Sequence, residues 1–192
     1  MFPTSYDDAL KLQGASVWMK NGYTMPYYAF EGGHAIFAKR VGVIPSAQRL
    51  DIKKILKAAP PVSADDGISH GSRQVFAVFS LPGAASLYAT AIGVIGSGEE
   101  HYYSDLLFYY DDPHTIYDNW PKDVWAAIDA HQVNPGMNEL QTRMAIGQKL
   151  HADGSSKGNR TITYLQDDRQ WTVTFINNRA TSIKNSVLAP VH

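Results

Sequence analysis

Residues 161–184 read TITYLQDDRQWTVTFINNRATSIK, and their central stretch alternates, with Trp171, Val173 and Phe175 at every second position and Thr172 and Thr174 between them. Successive side chains of an extended strand point to opposite faces. Such a stretch therefore buries a continuous apolar surface only as a strand with one face packed and the other wet. Asp167-Asp168 and Asn177-Asn178 interrupt the alternation with residues whose short polar side chains suit tight turns. The pattern predicts three antiparallel strands, over 161–166, 170–177 and 180–184.

Two helices are predicted ahead of these strands. WPKDVWAAIDAH (120–131) places Pro121 in a first turn, where its missing N–H costs nothing, and aligns Trp120, Val124 and Ile128 on one stripe. Asn134-Pro135-Gly136 turns the chain. Asn138 then stands as an N-cap with Gln141 three residues on, the spacing of a capping box, and Leu140 and Met144 mark the side to be buried. Residues 151–160 (HADGSSKGNR) read as a flexible polar link.

The first part of the chain is richer in strand signals. After a polar lead-in over 1–15, SVWMKNGYTMPYYAF (16–30) holds two apolar runs around Asn21-Gly22, a hairpin turn signal, and 34–44 reads as a strand. Residues 46–59 read as a helix. Ser46 is placed to cap it, Ile52, Ile55, Leu56 and Ala59 fall at helical spacing, and Pro60-Pro61 ends it. Apolar runs at 73–81, 87–95 and 101–112, joined by Pro82-Gly83 and Gly96-Ser97-Gly98, predict an antiparallel sheet. The near-continuous apolar run at 75–81 predicts a strand covered on both faces. The fold expected is α+β in two domains. Residues 1–118 form a β-rich part with an antiparallel sheet and one helix. Residues 119–192 form two helices on a three-stranded antiparallel sheet.

The C-terminal order resembles the SmpA/OmlA (BamE-like) family. The likeness rests on Gly136-Met137-Asn138-Glu139-Leu140-Gln141, on Gly147, and on Trp171-Thr172-Val173-Thr174-Phe175 leading through Asn177-Asn178-Arg179-Ala180-Thr181 to Ser182-Ile183. Asn178 stands where that family commonly has Gly, and Asn tolerates the same left-handed backbone. The resemblance implies a helix–helix–sheet module, also used by β-lactamase inhibitory proteins, that acts by binding in the cell envelope, chiefly in outer-membrane protein assembly. It implies another envelope protein or complex as partner and a periplasmic or outer-membrane-associated location, with a cytoplasmic one left open. The family's lipobox cysteine is missing here, and the family's small assembly lipoprotein lacks the first 130 or so residues of this chain. Lipid-anchored or peripheral attachment would follow only if a leader had been removed ahead of residue 1.

Composition excludes several chemistries. With no Cys among 192 residues there is no disulfide, thiolate metal site or cysteine nucleophile. No apolar run reaches the length of a membrane span. MFPTSYDD lacks a charged segment followed by an apolar one, so no signal peptide is expected in the chain as written. A net charge of −1 gives no general attraction to nucleic acid, and no cofactor is expected.

The densest titratable stretch is 99–118, with Glu99, Glu100, His101, Asp105, Asp111, Asp112, His114 and Asp118. Asp111, Asp112 and His114 are the residues that would hold a metal in the alternative reading, a small metal-dependent hydrolase. Asp-Asp-Pro-His is equally a strand exit and turn. His34, and His70 in Ser69-His70-Gly71-Ser72, stand in turn-forming contexts without the G-x-S-x-G elbow of a serine hydrolase. Charge is divided along the chain. Six cations (Lys39, Arg40, Arg49, Lys53, Lys54, Lys57) face only Asp51 over 39–57, and seven acids face only Lys122 over 99–123. Arg49, Lys53, Lys54 and Lys57, on the polar side of the helix expected at 46–59, are the candidate partner-binding residues. The reading favoured is a non-catalytic binding or scaffold protein, with the hydrolase and an inhibitor or immunity protein as alternatives.

Overall fold

The computed structural model describes residues 3–23, 25–61, 73–96, 99–154, 156–166 and 169–188. Of these, 48% are strand and 17% helix, in five short helices, so the protein is mainly β and the α+β expectation is corrected. The chain divides into two compact units. One comprises Met1–Met19, Met25–Ile44 and Arg49–Asp112, the other Lys20–Thr24, Pro45–Gln48 and Pro113–His192.

The first unit opens with a single helical turn where a polar lead-in was expected: α1 (Tyr6–Leu10), capped by the Ser5 side chain on the Asp8 N–H. There follow β1 (Ser16–Met19), β2 (Pro26–Glu31), β3 (His34–Val43), β4 (Arg49–Ala58), β5 (Arg73–Ser80) and β6 (Leu87–Ile95). The apolar run at 101–112 is broken rather than one strand, giving β7 (Glu100–Tyr102), α2 (Ser104–Leu107) and β8 (Phe108–Tyr109). These strands form one eight-stranded antiparallel sheet in the order β3-β2-β6-β5-β4-β1-β8, with β7 paired to β6.

The helix expected at 46–59 is strand β4. Leu50 and Ile52 alternate into the core, and then the register against β5 slips by one between Ile52↔Phe79 and Lys54↔Val78. That β-bulge absorbs Lys53, so the next inward residue is Ile55, three positions on instead of two. A bulge thus reproduced the i, i+3 spacing that otherwise marks a helix.

The sheet is covered on both faces. Leu12, Val17, Leu50, Ile52, Ile55, Val75, Ala77, Phe79, Ile92 and Phe108 share one cluster with Ala9 of α1 and Leu107 of α2. Tyr28, Phe76, Val78, Ala89 and Ala91 form the other. β5 is buried from Gln74 to Ser80, as its unbroken apolar run predicts. Phe37 of β3 packs edge-on to Tyr28 and tilted against Phe76, at 5.5 and 5.2 Å between ring centres. It reaches that far because the β2–β3 register slips between Tyr28↔Arg40 and Phe30↔Ala35, arching the middle of β3 out of its ladder.

The second unit contains α3 (Pro113–Ile116), α4 (Lys122–Asp129), α5 (Glu139–Ile146), β9 (Gln148–Asp153), β10 (Arg160–Gln166), β11 (Arg169–Ile176) and β12 (Arg179–Val187). Its sheet is a four-stranded antiparallel meander, β12-β11-β10-β9, not three-stranded, because the first residues of the expected polar link pair with β10 as β9. Ile162, Tyr164, Trp171, Val173, Phe175 and Ala180 are buried from the sheet, and Trp125, Ile128, Met137, Met144 and Ile146 from the helical segments. The capping box forms as its spacing predicts: the Asn138 Oδ1 accepts from the Gln141 N–H and the Gln141 Oε1 from the Asn138 N–H. α4 ends in a Schellman turn, with N–H groups of His131 and Gln132 bonded to the carbonyls of Ile128 and Ala127. His131 holds the left-handed position at φ 52° that glycine usually fills.

Candidate functional site

The acidic and histidine stretch does not assemble into a metal centre. No group of three His, Asp or Glu side chains is close enough to hold an ion among the described residues. Asp111 is exposed at the end of the first unit. His114 stacks on Trp125 at 4.0 Å between ring centres and sets its Nε2 3.3 Å from the Asp129 carboxylate, so it belongs to the packing of α3 against α4. Glu99 pairs with His101 at an exposed turn. His34 opens β3 opposite Glu31 and is exposed. His70 and its neighbouring serines, Ser97-Gly98, and the turn at Asp167-Asp168 lie outside the described residues.

Arg49, Lys53, Lys54 and Lys57 do not share a helix face, because they sit on β4. Arg49 donates through Nε to Asp51 at 2.9 Å and lies over the Trp18 ring. Lys57 joins the two charge patches at one point. Its Nζ lies 3.1 Å from Glu100 and over the Tyr6 ring, while Glu100 also accepts from the Tyr102 hydroxyl at 2.7 Å. Those donors, the Tyr102 hydroxyl first and Lys57 next, hold the Glu100 carboxyl below its usual range. Arg49 and Lys57 are thereby tied into the surface of the first unit, and Lys53 and Lys54 remain exposed at the bulge.

A more organised site lies in the second unit, where three turns meet. Trp120, Pro121 and Val124 from the start of α4, Gly136, Asn138 and Gln141 from the start of α5, and Asn177, Asn178 and Arg179 from the β11–β12 turn line a groove of about 450 Å³ with Asn119. Trp120 is clamped by aromatic neighbours: it stacks on Tyr117 at 4.5 Å and lies 5.3 Å from Trp125. The Trp125 indole N–H donates to the Tyr117 carbonyl. The β11–β12 turn uses two consecutive left-handed residues, Asn177 at φ 50° and Asn178 at φ 57°, the conformation of a type I′ hairpin turn. Asn178 is held from both sides. Its N–H donates to the Gly158 carbonyl at 2.8 Å, and its Oδ1 accepts from the Glu139 N–H at 3.3 Å.

Behind the groove lies a buried ion pair invisible to sequence spacing. Glu139 accepts from Arg160 Nε at 3.0 Å, from Arg160 Nη2 at 2.6 Å and from the Gly158 N–H at 2.6 Å. Burial by itself would push the Glu139 carboxyl up, but the Arg160 guanidinium and the Gly158 N–H outweigh it and hold the group below its ordinary value.

The sheet of this unit has two further surfaces. Its outer face carries Thr161, Thr163, Thr172 and Thr174, with Thr161 opposite Thr174 and Thr163 opposite Thr172, and the hydroxyls of Thr161 and Thr174 in contact at 2.9 Å. Strand β12 ends the strand order, and among the described residues the backbone bonds on its outer edge are those of its first rung, Ala180 N–H to the Met137 carbonyl and Gly136 N–H to the Ala180 carbonyl. Beyond that rung, Thr181, Ser182, Lys184, Asn185, Ser186 and Val187 are exposed. No family model, curated protein or solved structure matches the chain.

Proposed function

We propose that the protein is a non-catalytic binding or scaffold protein of the bacterial cell envelope that engages another envelope protein or complex through the sheet of its C-terminal unit. The observation that carries the binding mode is the exposed edge of β12. A strand with one unpaired edge offers a row of N–H and C=O groups to an incoming extended segment, and backbone pairing then supplies affinity while alternate side chains supply selectivity. Polar side chains along the rest of the strand, Lys184 among them, keep such an edge soluble until a partner arrives. The envelope setting rests on the likeness of residues 131–184 to the SmpA/OmlA family. No helix among the described residues is long and apolar enough to cross a membrane.

Site-specific photo-crosslinking in the native host tests this reading. A photoreactive residue at Lys184 or Ser186 should yield one discrete adduct with an envelope protein, and the same group at Lys122 or Asp129 should not. Equal adducts from both pairs of positions, or none from the strand, would overturn it.

A further inference from the structure

We propose that the groove between the starts of α4 and α5 and the β11–β12 turn is a saccharide-binding site, separate from the sheet-edge reading above. The argument starts from the chemistry of the lining. Five carboxamides (Asn119, Asn138, Gln141, Asn177 and Asn178) and the guanidinium of Arg179 surround one indole, and no carboxylate lines the groove among the described residues. A carboxamide offers two donor protons, and where its oxygen is not already engaged an acceptor beside them, the complement of neighbouring hydroxyls on a sugar ring, each of which donates and accepts. The same ring has an apolar C–H surface that packs on apolar side chains, here Val124 and the edge of Trp120 that its neighbours Tyr117 and Trp125 leave open. The volume of about 450 Å³ falls within the range of about 300–1,000 Å³ typical of small-molecule sites.

The site is also built to stay in place. Trp120 is fixed by Tyr117 and Trp125. The Oδ1 of Asn138 and the Oε1 of Gln141 are engaged in the capping box, which orients their NH2 groups as donors. Arg179 is anchored through Nη1 to the Gly136 carbonyl at 3.1 Å. Asn178 is pinned by Glu139 and Gly158. Such prior ordering lowers the entropy that binding must overcome. Glycosidic cleavage ordinarily uses two facing carboxylates, and none lines the groove among the described residues, so the reading is of binding.

The test is titration of the intact protein with chitotriose, cellotriose and a trigalacturonate, followed by amide and indole resonances. Four tryptophans give four indole signals. Saturable binding of at least one probe should shift the Trp120 indole and the groove carboxamides and leave Trp18 unmoved. Trp120→Ala should weaken that binding at least tenfold. Because Trp120→Ala removes packing as well, Asn119→Ala is the second variant: it keeps the stack and should weaken binding several-fold. No saturable shift with any of the three probes, or shifts centred elsewhere, would overturn the proposal, as would unchanged affinity in Asn119→Ala and in a folded Trp120→Ala.

Discussion

Glu139 and Arg160 meet in a two-pronged ion pair, Oε1 to Nε at 3.0 Å and Oε2 to Nη2 at 2.6 Å, with the Glu139 side chain 8% exposed. The pair ties the first turn of α5 to the first residue of β10, and through Gly158 and Asn178 it fixes the β11–β12 turn that walls the groove. Removing Arg160 leaves a buried carboxylate without its partner, a loss of about 3–5 kcal/mol in a dry site. Arg160 keeps 17% of its side chain in water, so Arg160→Ala is expected to destabilise by roughly 2–3 kcal/mol in urea unfolding. A loss under half that would show the pair to be unimportant for stability.

Acid should release the same contact. The Glu139 carboxyl is held below its ordinary 4.5. The unfolded chain therefore binds the proton first as pH falls, and the stabilisation is present above pH 4.5 and lost below it. Glu139→Gln should flatten the stability profile in that acid window and leave the slope at neutral pH unchanged, as followed by thermal melts against pH.

His131 predicts a second window. Burial pushes its imidazole below 6.5, opposed by a backbone contact at Ala145 and by Asp129. The unfolded histidine therefore takes up its proton first. Stability is full above pH 6.5 and declines as pH falls through that value. His131→Gln should remove this part of the decline; an unchanged slope between pH 7 and 5.5 would refute the assignment.

At Asn178 the backbone and the side chain make separate demands. Gly satisfies φ 57° but lacks the Oδ1 that accepts from Glu139. Asn178→Gly should cost about 1 kcal/mol, the worth of one hydrogen bond. Asn178→Val should cost more, because a β-branched residue is strained at positive φ. Equal melting temperatures for the two variants would contradict this ordering.

The bulge in β4 makes a prediction about chain length. Deleting one lysine of the Lys53-Lys54 pair restores strict alternation and still sends Leu50, Ile52 and Ile55 inward. That deletion should cost less than Ile55→Ala, which removes buried volume worth about 2–5 kcal/mol. A deletion that unfolds the protein would show the bulge itself to be required.

Much of the second unit was legible before its structure. The capping box at Asn138 and Gln141, the left-handed turn at Asn177-Asn178 and the inward set Trp171, Val173 and Phe175 all depend on residues close in sequence, whose geometry local chemistry dictates. β9 was not legible, since its Leu150 is half exposed and the strand exists because β10 offers it an edge to pair with. Residues 46–59 misled because period reports on phase, and a bulge shifts phase without changing composition. The groove left no sequence signal, for its walls come from segments around 120, 138 and 178 that no spacing rule connects.

Taken alone, the amino-acid sequence determined the turn at Asn177-Asn178, which residues cap α5, and which side chains of β11 face inward. The tertiary structure decided that residues 49–58 are strand, that Glu139 finds Arg160, and that an indole, five carboxamides and a guanidinium line one groove. The division has a physical cause. Turns and caps are settled by interactions over three or four residues, whereas strand pairing, buried charge and concave surfaces depend on which distant segments the whole chain brings together.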